Sequence, residues 1–133
     1  MAHEAIAHSP PGLVAAADLS TKQYRFVKLT GNNSVNIATA AGERVLGVLQ
    51  MGAKSGEGAN VAVLGTTRVV AGETIAAGQL VGTRNDGSAQ VIEHTSTGAD
   101  TGSWAVGVCL AGGASGEIIT VELAGPVGYR VTA

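Results

Sequence analysis

Residues 47–55 read Gly47-Val-Leu-Gln-Met-Gly52-Ala53-Lys54-Ser55, one residue away from a phosphate-binding P-loop. In a P-loop the lysine directly follows the second glycine, so its ammonium reaches the β/γ-phosphates while backbone N–H groups cradle them. Here Ala53 intervenes. A helix must also follow, with its N-terminus facing the phosphate, yet Glu57–Leu64 has the composition of a strand. A second, looser copy from Gly107 to Ser115 keeps the glycines and the serine but has Ala114 where the first has Lys54. What recurs is Ser-Gly-Glu, a turn entering a strand, and the segment reads as a turn.

Other chemistry is equally thin. His3, His8 and His94 are far apart, and the first two sit in a segment unlike the rest. Cys109 lies in the apolar run Val106-Gly-Val-Cys-Leu110, where a thiol behaves as a small buried hydrophobe. No Gly-x-Ser-x-Gly elbow occurs. Glu43, Glu57, Glu73, Asp86 and Glu117 stand singly in or beside turns, with no base or nucleophile paired to them. These residues assign no catalytic group, no cofactor-binding group and no metal ligand, so the chain is expected not to be an enzyme.

Composition narrows the class further. The 133 residues include 20 glycines, only 3% aromatic and 14% charged residues, and a net charge of −2. The length suits one domain. Without a basic run, the electrostatic footprint of a nucleic-acid binder is missing. No apolar stretch approaches the ~18 residues of a membrane helix. Met1-Ala2-His3-Glu4-Ala5-Ile6 has no basic start leading into an apolar run, so no secretion signal is expected. A lone cysteine excludes an intramolecular disulfide.

The elements follow from turn spacing. From Tyr24 onward, short β-prone runs alternate with Gly and Asn/Asp turns every 8–12 residues, the spacing of a small sandwich or barrel. Asn85-Asp86-Gly87-Ser88 is a strong hairpin signal. The runs also repeat. An offset of 60 aligns Leu46-Gly-Val48 with Val106-Gly-Val108, and Ser55-Gly-Glu57 with Ser115-Gly-Glu117. An offset of 54 aligns Val27, Ser34 and Ile37 with Val81, Ser88 and Val91. The difference places an insertion in His94–Ser103. The expected fold is all-β, a small sandwich or barrel built from two similar units at about 24–65 and 78–125 within a 23–133 domain. Residues 1–22 lack strand alternation and carry Pro10-Pro11, which favours an extended path. They read as an arm that orders on a partner. Trp104 reads as a core or interface anchor.

The order of parts resembles a known family. The segments are Tyr24-Arg-Phe-Val-Lys-Leu29, Ala41-Gly-Glu-Arg-Val-Leu-Gly-Val48, Val69-Val-Ala-Gly-Glu-Thr-Ile-Ala-Ala-Gly-Gln-Leu-Val81, Ala105-Val-Gly-Val-Cys-Leu110 and Gly116-Glu-Ile-Ile-Thr-Val-Glu-Leu123. Over about 20–125 this resembles the capsid decoration (cement) proteins of tailed bacteriophages. The resemblance implies a structural virion protein on the exterior of the head. It would assemble as a homotrimer and stabilise the shell by bridging major capsid protein subunits. In that role Ile6, Pro10, Pro11, Leu13, Val14 and Leu19 of the arm are the candidate capsid contacts. Two alternatives are a fibre base or tail module and a trimeric nucleotide hydrolase. For the hydrolase only Val127-Gly-Tyr-Arg130 is suggestive, and its acidic and phosphate-binding motifs are missing.

Overall fold

The computed structural model describes residues 7–92, 103–124 and 129–131, with side chains described over 9–92 and 103–124. Strands in chain order are β1 (Ala7–His8), β2 (Val14–Ala15), β3 (Phe26–Gly31), β4 (Ser34–Ile37), β5 (Gly47–Leu49), β6 (Val61–Ala62), β7 (Leu64–Val70), β8 (Leu80–Thr83), β9 (Ala89–Val91), β10 (Ser103–Ala105), β11 (Gly107–Ala111), β12 (Ile118–Leu123) and β13 (Tyr129–Val131). A six-stranded sheet runs β1-β7-β12-β11-β8-β9 and a five-stranded sheet runs β2-β4-β3-β5-β6. A third pair joins β10 to β13. The fold is all-β, built from two similar units.

The repeat holds register by register. Val27 pairs with Ile37 and Gly47, as Val81 pairs with Val91 and Gly107. Val48 pairs with Ala62, as Val108 pairs with Glu122. Gly47 and Gly107 are glycines for one reason: a Cβ at either would strike the backbone carbonyl of Ala62 or Glu122. The Ser-Gly-Glu turns match as well. The Lys54 N–H donates to Glu57 Oε1 at 2.7 Å, and the Ala114 N–H donates to Glu117 Oε1 at 2.6 Å. A short loop closed by a carboxylate and leading into strand leaves no helix N-terminus to hold a phosphate.

The units also extend further toward the N-terminus than the side chains suggest. At an offset of 56, Leu13, Ala15 and Leu19 match Val69, Ala71 and Ile75. Ala15 N–H donates to the Glu57 carbonyl, as Ala71 N–H does to that of Glu117. Leu19 N–H donates to the Ala53 carbonyl, as Ile75 N–H does to that of Gly113. The parallel pairing of Ala15 with Val35 recurs as a bridge between Ala71 and Ala89. Unit 1 therefore spans 13–63 and unit 2 spans 69–123. Tyr24, at φ 63, occupies the place of Gly78, at φ 91. Each donates its N–H to a core-strand carbonyl, that of Leu49 or Cys109. The left-handed backbone is thus a shared requirement that unit 1 meets without a glycine.

Burial follows the same plan. The front of the five-stranded sheet (Val27, Val35, Leu49, Val61) packs on Leu13, Ala15, Leu19, Ala53 and Ala59. Its back presents one cross-strand row, Phe26, Val48 and Ala62, each fully buried against the inner face of the six-stranded sheet. That inner face carries Val69, Val81, Ile119, Val121, Leu123 and Cys109. The Cys109 thiol stands at the position of Leu49, and desolvation pushes its pKa up. The units are also joined at their rims. Phe26 N–H donates to the Gly87 carbonyl at 2.7 Å and Gly42 N–H to that of Thr83 at 2.8 Å. Arg25 Nη1 lies 3.4 Å from Asp86 Oδ2.

The expected arm over 1–22 is thus partly core. Leu13 and Leu19 were candidate contact residues, but they are 7% and 1% exposed because the front of the five-stranded sheet needs an apolar cover. Residues 1–6 lie outside the described residues, and β1 pairs with the start of β7, His8 opposite Leu64.

Two outcomes test this packing. Leu19→Ala opens a cavity in a closed core and lowers unfolding stability by about 2–5 kcal/mol in urea titration, whereas Val14→Ala, partly exposed, costs less than about 1 kcal/mol. Removing residues 1–20 unfolds unit 1 rather than leaving an intact body. For Asp86, the Ser88 hydroxyl hydrogen bond holds the carboxyl below its ordinary value, partial burial opposes this, and the Ser88 N–H and Arg25 add to the lowering. A lowered carboxylate contributes stability above its unfolded-state pKa and loses it as the pH falls through its folded-state pKa. Asp86→Asn therefore shifts the urea midpoint slightly at neutral pH, and that difference vanishes in strong acid.

Candidate functional site

The β3–β4 hairpin ends in Asn32-Asn33, with Asn33 at φ 55, a left-handed position that asparagine tolerates well. The hairpin projects past the core, so Leu29 at the end of β3 is 53% exposed although it belongs to the inward-facing row of Val27. Beside it, Val14 N–H donates to the Asn33 carbonyl at 2.8 Å, which holds the incoming chain against the hairpin. The result is a shallow groove lined by Pro10, Leu13, Leu29, Leu46, Asn32 and Asn33. Its floor is apolar and its rim is amide.

A second depression shares Leu29 and Leu46 and adds Lys28, Glu43 and Arg44. Lys28 Nζ lies 3.0 Å from Glu43 Oε1 and donates to Thr39 Oγ1 at 2.7 Å. Both ion-pair partners are largely covered, which fixes the loop 39–44 over the strand. The Arg44 guanidinium sits 5.6 Å from the centre of the Trp104 ring, a cation–π contact between the units. Trp104 is thus an anchor for a loop of unit 1.

Among the remaining arm candidates, Pro10 is half-buried at the groove wall, Pro11 is exposed and Val14 is partly exposed beside it. Ile6 lies outside the described residues. The structure therefore brings Pro10 and Leu13 together at the groove but turns Leu19 into the core. Leu29, Leu46, Asn32 and Asn33 were not singled out from sequence. Their signal was present in the repeat: Leu29 and Leu46 align with the smaller Thr83 and Val106. Among the described residues, no three His, Cys, Asp or Glu are grouped to hold a metal ion. The groove offers shape, apolar surface and amides, which suit contact with another protein surface.

The all-β fold has a counterpart among solved structures. The chain is similar to the crystal structure of the head fiber gp8.5 N base in bacteriophage phi29, with a TM-score of 0.65 at 18% sequence identity. The match covers 94% of this chain and 98% of that one. At this identity the likeness establishes the fold. No family model and no curated protein matches the chain.

The rim contact is open to a direct test, because Trp104 is the sole tryptophan. Arg44→Ala changes its fluorescence emission and costs about 0.5–1 kcal/mol of stability, as for an exposed cation–π pair. Unchanged emission would place the guanidinium elsewhere.

Proposed function

We propose that this chain is a structural protein of a phage virion, bound to the outside of the head, where it reinforces the shell by bridging major capsid protein subunits. The observation that carries this reading is the near-complete overlap of its fold with a phage head fiber base, over 94% of one chain and 98% of the other. The order of segments that resembles the decoration proteins points the same way. A homotrimer is the assembly this role favours. Three copies present three equivalent contact surfaces, so weak individual contacts become tight together because the later ones are intramolecular. The groove and the exposed Pro11 and Val14 are the surfaces for those contacts. Bridging neighbouring subunits raises the barrier to their separation, which slows failure of the shell under heat or internal pressure.

A second reading, the base of a head fibre, is favoured by the description of the similar structure itself. Cryo-electron microscopy of the virion separates the two. Compact density over the shell supports the decoration role, and density continuing into a projecting fibre supports the base. Purified protein added to heads that lack it binds saturably and raises the temperature at which they release DNA. If it neither binds nor protects them, the head-surface reading fails.

A further inference from the structure

Strand β7 is paired along one side and open along part of the other. Ala71 N–H, just past its end, donates to the Glu117 carbonyl, so the odd-numbered residues Thr67 and Val69 bond toward β12. On the opposite side the described partners stand only at the two ends. His8 pairs with Leu64, and Val70 N–H donates to the Tyr24 carbonyl at 2.9 Å. Backbone N–H groups alternate sides along a strand, so those of Thr66 and Arg68 face the same way as that of Val70. Among the described residues neither of them has a hydrogen-bond acceptor. The side chain in the middle of this gap tells what is missing. Thr67 and Val69 are buried on the inner face, which puts Arg68 on the outer face. Its Nε–H is buried without an acceptor, and its Nη1 reaches the Tyr24 hydroxyl at 3.4 Å. The ion pairs among the described residues are Arg25 with Asp86 and Lys28 with Glu43, so Arg68 lacks a carboxylate there. A buried charged donor left unsatisfied is costly. A side chain directly opposite on an added strand, on the same face, is placed to satisfy it.

We propose that residues 3–6 of this chain continue β1 along the open edge of β7 and set the Glu4 carboxylate on the Arg68 guanidinium. The register of β1 leads there. Ala7 stands opposite Gly65, and the same antiparallel register sets Ile6, Ala5, Glu4 and His3 opposite Thr66, Thr67, Arg68 and Val69. Glu4 is the only acidic residue before Asp18, and it falls on the one position that faces Arg68. The length agrees as well, because Tyr24 already holds the edge at Val70 and the gap ends there. The far edge of the same sheet is closed by a carboxylate too, since Val91 N–H of β9 donates to Glu73 Oε2 at 3.0 Å. The strap satisfies the free backbone groups of Thr66 and Arg68 and keeps this edge from pairing with another chain.

Nothing in this depends on the head-surface reading, and its test needs only the purified full chain. Amide hydrogen exchange is followed by NMR. In the wild type the amides of Thr66 and Arg68 exchange as slowly as that of Thr67, which bonds β12. Glu4→Lys speeds both at least about tenfold, as for a lost hydrogen bond to a charged group, while Thr67 stays protected and shows the sheet intact. Glu4→Lys combined with Arg68→Glu restores the slow exchange. A cross-link reads the register independently. Directly opposite residues of a hydrogen-bonded pair stand about 5.5 Å apart, within reach of a disulfide. Glu4→Cys with Arg68→Cys therefore closes a disulfide within one chain on mild oxidation. Fast exchange of Thr66 and Arg68 in the wild type overturns the proposal, as does exchange that Glu4→Lys leaves unchanged. Cross-linked dimers, which mark a strand supplied by a second copy, or the absence of any cross-link overturn it as well.

Discussion

Much in this molecule depends on a sheet whose centre is covered on both sides. The five-stranded sheet must cover Val27, Val35, Leu49 and Val61 on one side and Phe26, Val48 and Ala62 on the other. The first side recruits residues 13–20 and the loop around Ala53 as a lid. The second requires unit 2. Neither cover is optional, because burying a side chain the size of Phe26 contributes on the order of 2–3 kcal/mol, a large share of a domain's net stability. The scarcity of aromatic residues sharpens the point. With one Phe and one Trp, each large ring is placed where two units meet.

Much of this was legible in the sequence. The offsets of 54 and 60 are the hydrogen-bond registers of two superposable sheets, and the turn residues revealed them because glycine and Ser-Gly-Glu report backbone demands directly. The N-terminal stretch of each unit was illegible for the complementary reason. Leu13, Ala15 and Leu19 share with Val69, Ala71 and Ile75 only backbone hydrogen bonds and burial, and a further change of offset separates them from the rest. A covering segment needs apolar bulk at a few points but no alternation, so it looked like an arm. The groove was hidden because it is defined by a difference between units, visible only once the buried state of one copy could be set beside the exposed state of the other.

The phosphate-like glycine spacing has an equally physical origin. Gly47 is forced by the approach of the neighbouring strand, and Gly52 by the Ser20 backbone that packs against it. Two unrelated steric demands happen to fall five residues apart. Lys54 lies exposed at the following turn, where its backbone rather than its ammonium is used. The same economy runs through the carboxylates: Glu57, Glu117, Glu43 and Asp86 each close a loop or link elements.

The order of the units along the chain has a consequence during synthesis. Unit 1 is complete by residue 63, well before β12 exists. Until the six-stranded sheet forms, the row Phe26-Val48-Ala62 is an uncovered apolar strip on an otherwise finished unit, the kind of surface that leads to misassembly when nascent chains are crowded. Its cover arrives last, since β12 is the strand that joins β7 to β11. A polysome carrying many such chains would hold these strips close together, so slowing translation beyond residue 63 favours aggregation and hastening it favours the native pairing.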